Sequence, residues 1–172
     1  VVVGAGTVRH DDPRLTTREV RGPNPVRVVL DPARRLGAGH RVFGDGAAPT
    51  LLVTAVDGAA RHGVAEVVTV PRGDAGLDLA AVVRALAARG LRRVFVEGGG
   101  RTVSAFLAAG LLDRLHVTVA PLILGSGIPA FTLPEATRIA EGLRFRWTPH
   151  AIGDDLLLDI PLHRARPGVC AA

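Results

Sequence analysis

A short apolar run, Val94-Phe95-Val96-Glu97, passes into three consecutive glycines and then into Arg101-Thr102 at the head of a helically spaced segment. A buried strand that runs through glycine into a helix belongs to an α/β sheet. Glycine lets the backbone come close to a ligand, and the first N–H groups of a helix have no partner inside the helix. Together they suit an anion such as phosphate. A plain strand-to-helix turn also uses glycine, but three in a row exceed what the turn needs. No Gly-Lys-Ser/Thr follows, so the segment is not a P-loop.

The rest of the chain repeats the strand–helix alternation. Short apolar runs at 1–3, 25–30, 50–54, 66–70, 93–97 and 115–120 read as strands. Segment 79–89 has apolar residues at helical spacing, with Asp78 as cap and Gly90 as stop, and 101–109 is a second helix ended by Gly110. Segment 57–62 reads as a short helix. Segments 143–152 and 155–162, around Gly153-Asp154, form a terminal antiparallel hairpin. The expected fold is α/β: three layers, α/β/α, around a mostly parallel sheet that the hairpin makes mixed. One domain is expected over 1–165, followed by a flexible tail at 166–172.

Composition narrows the function. All 21 basic residues are arginine and give a formal net charge of +5. They are dispersed, without a basic stripe carrying interleaved aromatics, so no nucleic-acid partner is expected. A cationic field does favour an anionic ligand. The single cysteine, Cys170, forms neither an internal disulfide nor a cysteine-based metal site, and fits a reducing cytoplasm. The six histidines lack zinc spacing, so no metal is expected. No membrane partner is expected either, because no apolar run is long enough to span.

Taken singly, the remaining candidates are ambiguous. Glu97 stands at the mouth of the glycine turn, either as a polar strand end or as a ligand-facing carboxylate. Asp11, Asp12 and Arg18 follow the first strand, and alone they read as a solvated charged turn. Gly4-Ala5-Gly6-Thr7-Val8-Arg9 is not the usual dinucleotide fingerprint, because Arg9 stands where its third glycine belongs.

Three blocks change this balance when read together. The first runs from Gly4-Ala5-Gly6-Thr7-Val8-Arg9 through Asp11-Asp12-Pro13-Arg14-Leu15-Thr16. The second is Asn24-Pro25-Val26-Arg27-Val28-Val29-Leu30-Asp31. The third combines Glu97-Gly98-Gly99-Gly100 with Phe106-Leu107-Ala108-Ala109-Gly110 and Val119-Ala120-Pro121-Leu122. In order and spacing they resemble the pyrimidine reductases of riboflavin biosynthesis, which occur as stand-alone enzymes or as the reductase half of a deaminase/reductase.

That resemblance implies a dihydrofolate-reductase-like fold and an NADPH-dependent oxidoreductase. The implied reaction reduces the ribosyl group of a 5-phosphoribosylamino-pyrimidine to ribityl. By motif match, Thr7, Asp11, Asp31, Arg34, Gly98, Gly99, Gly100, Arg101 and Thr102 would hold the cofactor, with Arg34 or Arg35 meeting the 2′-phosphate. Leu15, Arg18 and Glu97 would hold the phosphorylated substrate, Arg18 through its 5′-phosphate, and Glu97 would be the catalytic candidate. The resemblance also implies a homodimer. The family's opening strand and helix, which line its substrate site, are not in this sequence. Two other expectations compete: a related NADPH reductase of another heterocycle in secondary metabolism, and a non-catalytic nucleotide-binding module.

Overall fold

The computed structural model describes residues 1–162. The tail expected at 166–172, with Cys170, lies outside the described residues. The larger sheet contains β1 (Val2–Gly4), β2 (Arg27–Leu30), β3 (Thr50–Thr54), β4 (Arg61–His62) and β5 (Ala65–Thr69), in the order β1-β2-β3-β5-β4. β1, β2, β3 and β5 are parallel, and only β4 runs against its neighbour. Every residue of β2 and β3 is buried, as expected for strands covered on both faces.

Side-chain alternation along the strands divides the core in two. On one face Val2, Val28, Leu51 and Val53 pack with α3 (Leu79–Ala88) and with Phe106 of α4 (Gly100–Ala108). Leu79, Val82 and Leu86 form the buried stripe of α3, and the Asp78 carboxylate caps it by accepting from the Ala81 amide at 2.9 Å. On the other face Val3, Val29 and Leu52 pack with Val8 of α1 (Ala5–Asp11) and with Val42 and Phe43 of α2 (Arg41–Gly44). The result is three layers, helices–sheet–helices.

Four expectations need correction. The hairpin does not join the large sheet. β7 (Thr148–Ile152) and β8 (Asp155–Pro161) form a separate antiparallel sheet with β6 (Arg114–Val119), in the order β6-β8-β7, so β4 alone makes the large sheet mixed. The helix expected at 57–62 is absent; Arg61 and His62 instead pair with β5 around Gly63, whose φ of +59° makes the reversal. Helix α1 has no counterpart among the expected elements, because Gly-Ala-Gly is a weak helix signal and only Val8 of its seven residues is buried.

The strand expected at 93–97 is reduced to one parallel bridge, Val2 to Val96. The Val2 amide donates to the Phe95 carbonyl and the Glu97 amide to the Val2 carbonyl, both at 2.8 Å. The outer edge of this segment has no strand partner among the described residues, and neither has the outer edge of β6. Val94 and Phe95 are therefore 39% and 61% exposed rather than buried.

Candidate functional site

Strand register brings the motif residues to one sheet edge. Val96 pairs with Val2, and Gly4 with Leu30, so Glu97-Gly98, Gly4 and Asp31 follow one another across the carboxyl ends of parallel segments. This is where open α/β sheets receive ligands.

Two helix starts interlock there. The Thr7 hydroxyl lies 3.5 Å from where a Cβ would sit on Gly98 or Gly99, and the Thr102 hydroxyl packs against Gly4. Gly98 has a φ of +85°, a region open to glycine but strained for other residues. Gly99 caps α4, and its carbonyl accepts from the Thr102 amide at 2.8 Å. Among the described residues, no acceptor meets the amides of Gly99, Gly100 or Arg101, and the first turn carries no acid. Such a donor set fits the pyrophosphate of a dinucleotide.

Beside this turn opens a cavity of about 710 Å³ on the α1–α2 face. Val1, Phe95 and Glu97 floor it, and residues 11–18, with Arg41 and Arg93, wall it. Of the residues expected from sequence, Asp11, Leu15, Arg18 and Glu97 all line it. Thr7, Gly98, Gly99, Gly100, Arg101 and Thr102 stand outside its lining, at the turn next to Glu97.

Segment 11–18 is not the solvated turn that its charges suggest. Asp11 ends α1, and Asp12 adopts a left-handed conformation with φ of 39°. The Asp12 carboxylate accepts from the Arg41 amide at 2.9 Å and pairs with the Arg41 Nε at 3.3 Å. Leu15 has a φ of 50° and packs on the Val3–Val29 side of the core. The Thr17 amide donates to Asn24 Oδ1 at 3.0 Å, and Asn24 Nδ2 to the Ala47 carbonyl at 2.9 Å. The loop is thus tied at Asp12 and Thr17, while Asp11 and Arg18 at its two ends are exposed.

Asp31 and Arg34 make internal contacts. Asp31 is 3% exposed, and its Oδ2 accepts from the Leu36 amide at 2.8 Å. Arg34, with a φ of 52°, donates to the carbonyls of Ala59 and Arg61 at 3.0 and 3.1 Å. Arg35 is exposed beside it.

Sequence reasoning missed Arg27, which reads as an ordinary residue of an apolar strand. It is wholly buried. Its Nε donates to Thr50 Oγ1 at 2.9 Å, its Nη2 to the Ala48 carbonyl at 3.0 Å and its Nη1 to the Arg14 carbonyl at 3.2 Å. Nη1 also pairs with Asp45 at 2.8 Å. Burial pushes the Asp45 carboxyl up, but the Ala47 amide, the Arg27 guanidinium and the charge of Arg14 outweigh this and hold it below the usual range.

A mostly parallel sheet between helices, with a glycine turn beside an arginine-lined cavity, defines a domain of the dihydrofolate-reductase-like class. Residues 1–154 match the model of the RibD C-terminal domain, and the chain belongs to that family. It is 35% identical over 170 residues to the 2,5-diamino-6-ribosylamino-4(3H)-pyrimidinone 5′-phosphate reductase of Methanothermobacter thermautotrophicus, covering 92% of this chain and 77% of that protein. It is 32% identical to the riboflavin biosynthesis protein RibD of Aquifex aeolicus, covering 92% of this chain and 45% of that one. The crystal structure of a deaminase/reductase from Thermotoga maritima superposes with a TM-score of 0.78 at 28% identity, over 93% of this chain and 44% of that one. The chain therefore spans less than half the length of these two bifunctional-length relatives. These relatives are named for reduction of a ribosylaminopyrimidine phosphate and for riboflavin biosynthesis.

Proposed function

We propose that this chain reduces the ribosyl group of a 5-phosphoribosylamino-pyrimidine to ribityl with NADPH as donor, in the cytoplasm and as a homodimer. The observation that carries this reading is the convergence of Leu15, Arg18 and Glu97 on one cavity beside the glycine turn. When bound, the nicotinamide supplies the hydride. The chain's own residues do the rest. The amides of Gly99, Gly100 and Arg101 hold the pyrophosphate, with Thr7 and Thr102 fixing the turn and Asp11 at its rim. Arg18 meets the 5′-phosphate through forked, charge-assisted bonds. Glu97 orients the sugar and stabilises cationic character at its first carbon.

Asp31 serves the cofactor indirectly, since its carboxylate shapes the loop that presents Arg35. Arg34 also braces that loop, which leaves Arg35 as the arginine for the 2′-phosphate. The dimer reading rests on the exposed apolar side chains of the small sheet, Val119, Ile152 and Leu156 among them.

Thermal shift tests the reading. NADPH should raise the melting temperature, and ribose 5-phosphate should raise it further, because each binds the native state. A response to NADPH alone would favour a nucleotide-binding module. Light scattering at micromolar concentration should give twice the chain mass; a monomer would remove the dimer.

A further inference from the structure

We infer that Arg27, with Asp45, is a positioning device for the substrate loop, so that substrate affinity is set partly from beneath the site. The inference rests on the proposed role of Arg18 in binding the substrate's phosphate.

The geometry has two parts. Arg27 is wholly buried at the start of β2, where an apolar side chain would ordinarily stand. Burying a guanidinium is costly unless its donors are met, and here Thr50, Ala48, Asp45 and Arg14 meet them. Three of these partners belong to the 45–50 stretch that enters β3. The fourth, the Arg14 carbonyl, is in the loop that carries Leu15 and Arg18. One rigid planar fork therefore ties that loop to the sheet.

The loop needs such an anchor. It leaves α1 through the left-handed Asp12 and turns again at Leu15, and both conformations cost energy for residues with a side chain. Its other ties, Asp12 to Arg41 and Asn24 to Ala47, lead to the same 40–50 region. That region is the frame, and Arg27, itself wholly buried, joins it to the loop through the Arg14 carbonyl. Arg27 does not line the cavity, so it acts through Arg14 and its neighbours.

The test uses the full-length natural protein and two probes, ribose 5-phosphate and NADPH. Arg27→Lys keeps the charge but loses the planar fork. The expected result is a rise of about tenfold in the Kd for ribose 5-phosphate, with the NADPH Kd unchanged within about twofold. Asp45→Asn keeps the shape and one acceptor oxygen but removes the charge that faces Arg27, so it should fold if the lysine variant does not, and shift the same Kd in the same direction by less. Because Arg27 acts through the loop that presents Arg18, its effect should vanish in an Arg18→Ala background, a coupling that general loss of stability does not produce. Equal weakening of both ligands, or additive effects of the Arg18 and Arg27 changes, would overturn the inference while leaving the functional reading intact. Failure of the unaltered protein to bind ribose 5-phosphate would overturn the functional reading and the inference together.

Discussion

The amide of Glu97 donates to the carbonyl of Val2 across 2.8 Å, and this bond decides where the glycine turn sits. It holds the 94–97 segment parallel to β1, so that Gly98 leaves the sheet beside Gly4. Glu97 consequently faces the cavity on the α1–α2 side, while Val96 packs into the opposite core. A single bridge thus couples the carboxylate that lines the cavity to the glycine turn beside it.

Arg18 and Glu97 should separate in kinetics. Arg18→Ala should raise KM by roughly ten- to a hundredfold, the usual loss for a charge-assisted bond, without weakening NADPH binding. Glu97→Gln should lower kcat more than it raises KM, because the charge is used at the reacting carbon. Steady-state kinetics checked against melting curves decides this. If Arg18→Ala leaves kcat/KM unchanged, the loop has no substrate role.

Cofactor preference should follow Arg35. Arg35→Ala should narrow the ratio of NADPH to NADH affinity by about tenfold or more. Arg34→Ala should instead lower the melting temperature, because the guanidinium ties the loop to the carbonyls of Ala59 and Arg61. Titration of both cofactors onto both variants checks the assignment; a ratio that responds only to Arg34 would reverse it.

The head of α4 should not tolerate a methyl group. A Cβ on Gly100 would come 2.5 Å from the Pro129 carbonyl oxygen and 2.8 Å from that of Ala130. Both are backbone atoms, so the helix start or the 129–130 segment must shift. Gly100→Ala should cost about 1–3 kcal/mol of stability and weaken NADPH binding, measured by urea denaturation and by titration.

Acid should loosen the frame under the loop. The Asp45 carboxyl titrates below its ordinary value when folded, so it contributes stability above about pH 4. That contribution is lost as pH falls through the lower folded value. Asp45 is partly exposed, so the effect is modest. Denaturation midpoints measured from neutral pH to about pH 3 should fall less steeply in Asp45→Asn than in the parent; parallel curves would show that the carboxylate contributes nothing.

Much of this protein was legible in its sequence. Apolar runs located β1, β2, β3, β5 and β6; in β2 and β3 burial on both faces demands continuous β-branched and leucine residues, whereas β5 and β6 are partly exposed. Helical spacing and a capping aspartate located α3, and the glycines located the turn before α4. The family motifs group Leu15, Arg18 and Glu97, and all three line one cavity. What the sequence could not decide depends on partners distant in the chain. The run at 93–97 has strand composition, yet pairing rather than composition makes a strand, and among the described residues it meets β1 through one bridge alone. Helix α1 forms on a weak local signal because Val8 enters the core beside Val3 and Val29. The reach of the Arg34 guanidinium to carbonyls 25 and 27 residues away has no local signal either. Arg27 looked like nothing until four acceptors closed around it. Local pattern records which side chains must leave water; only tertiary contact determines what a buried polar group finds when it gets there.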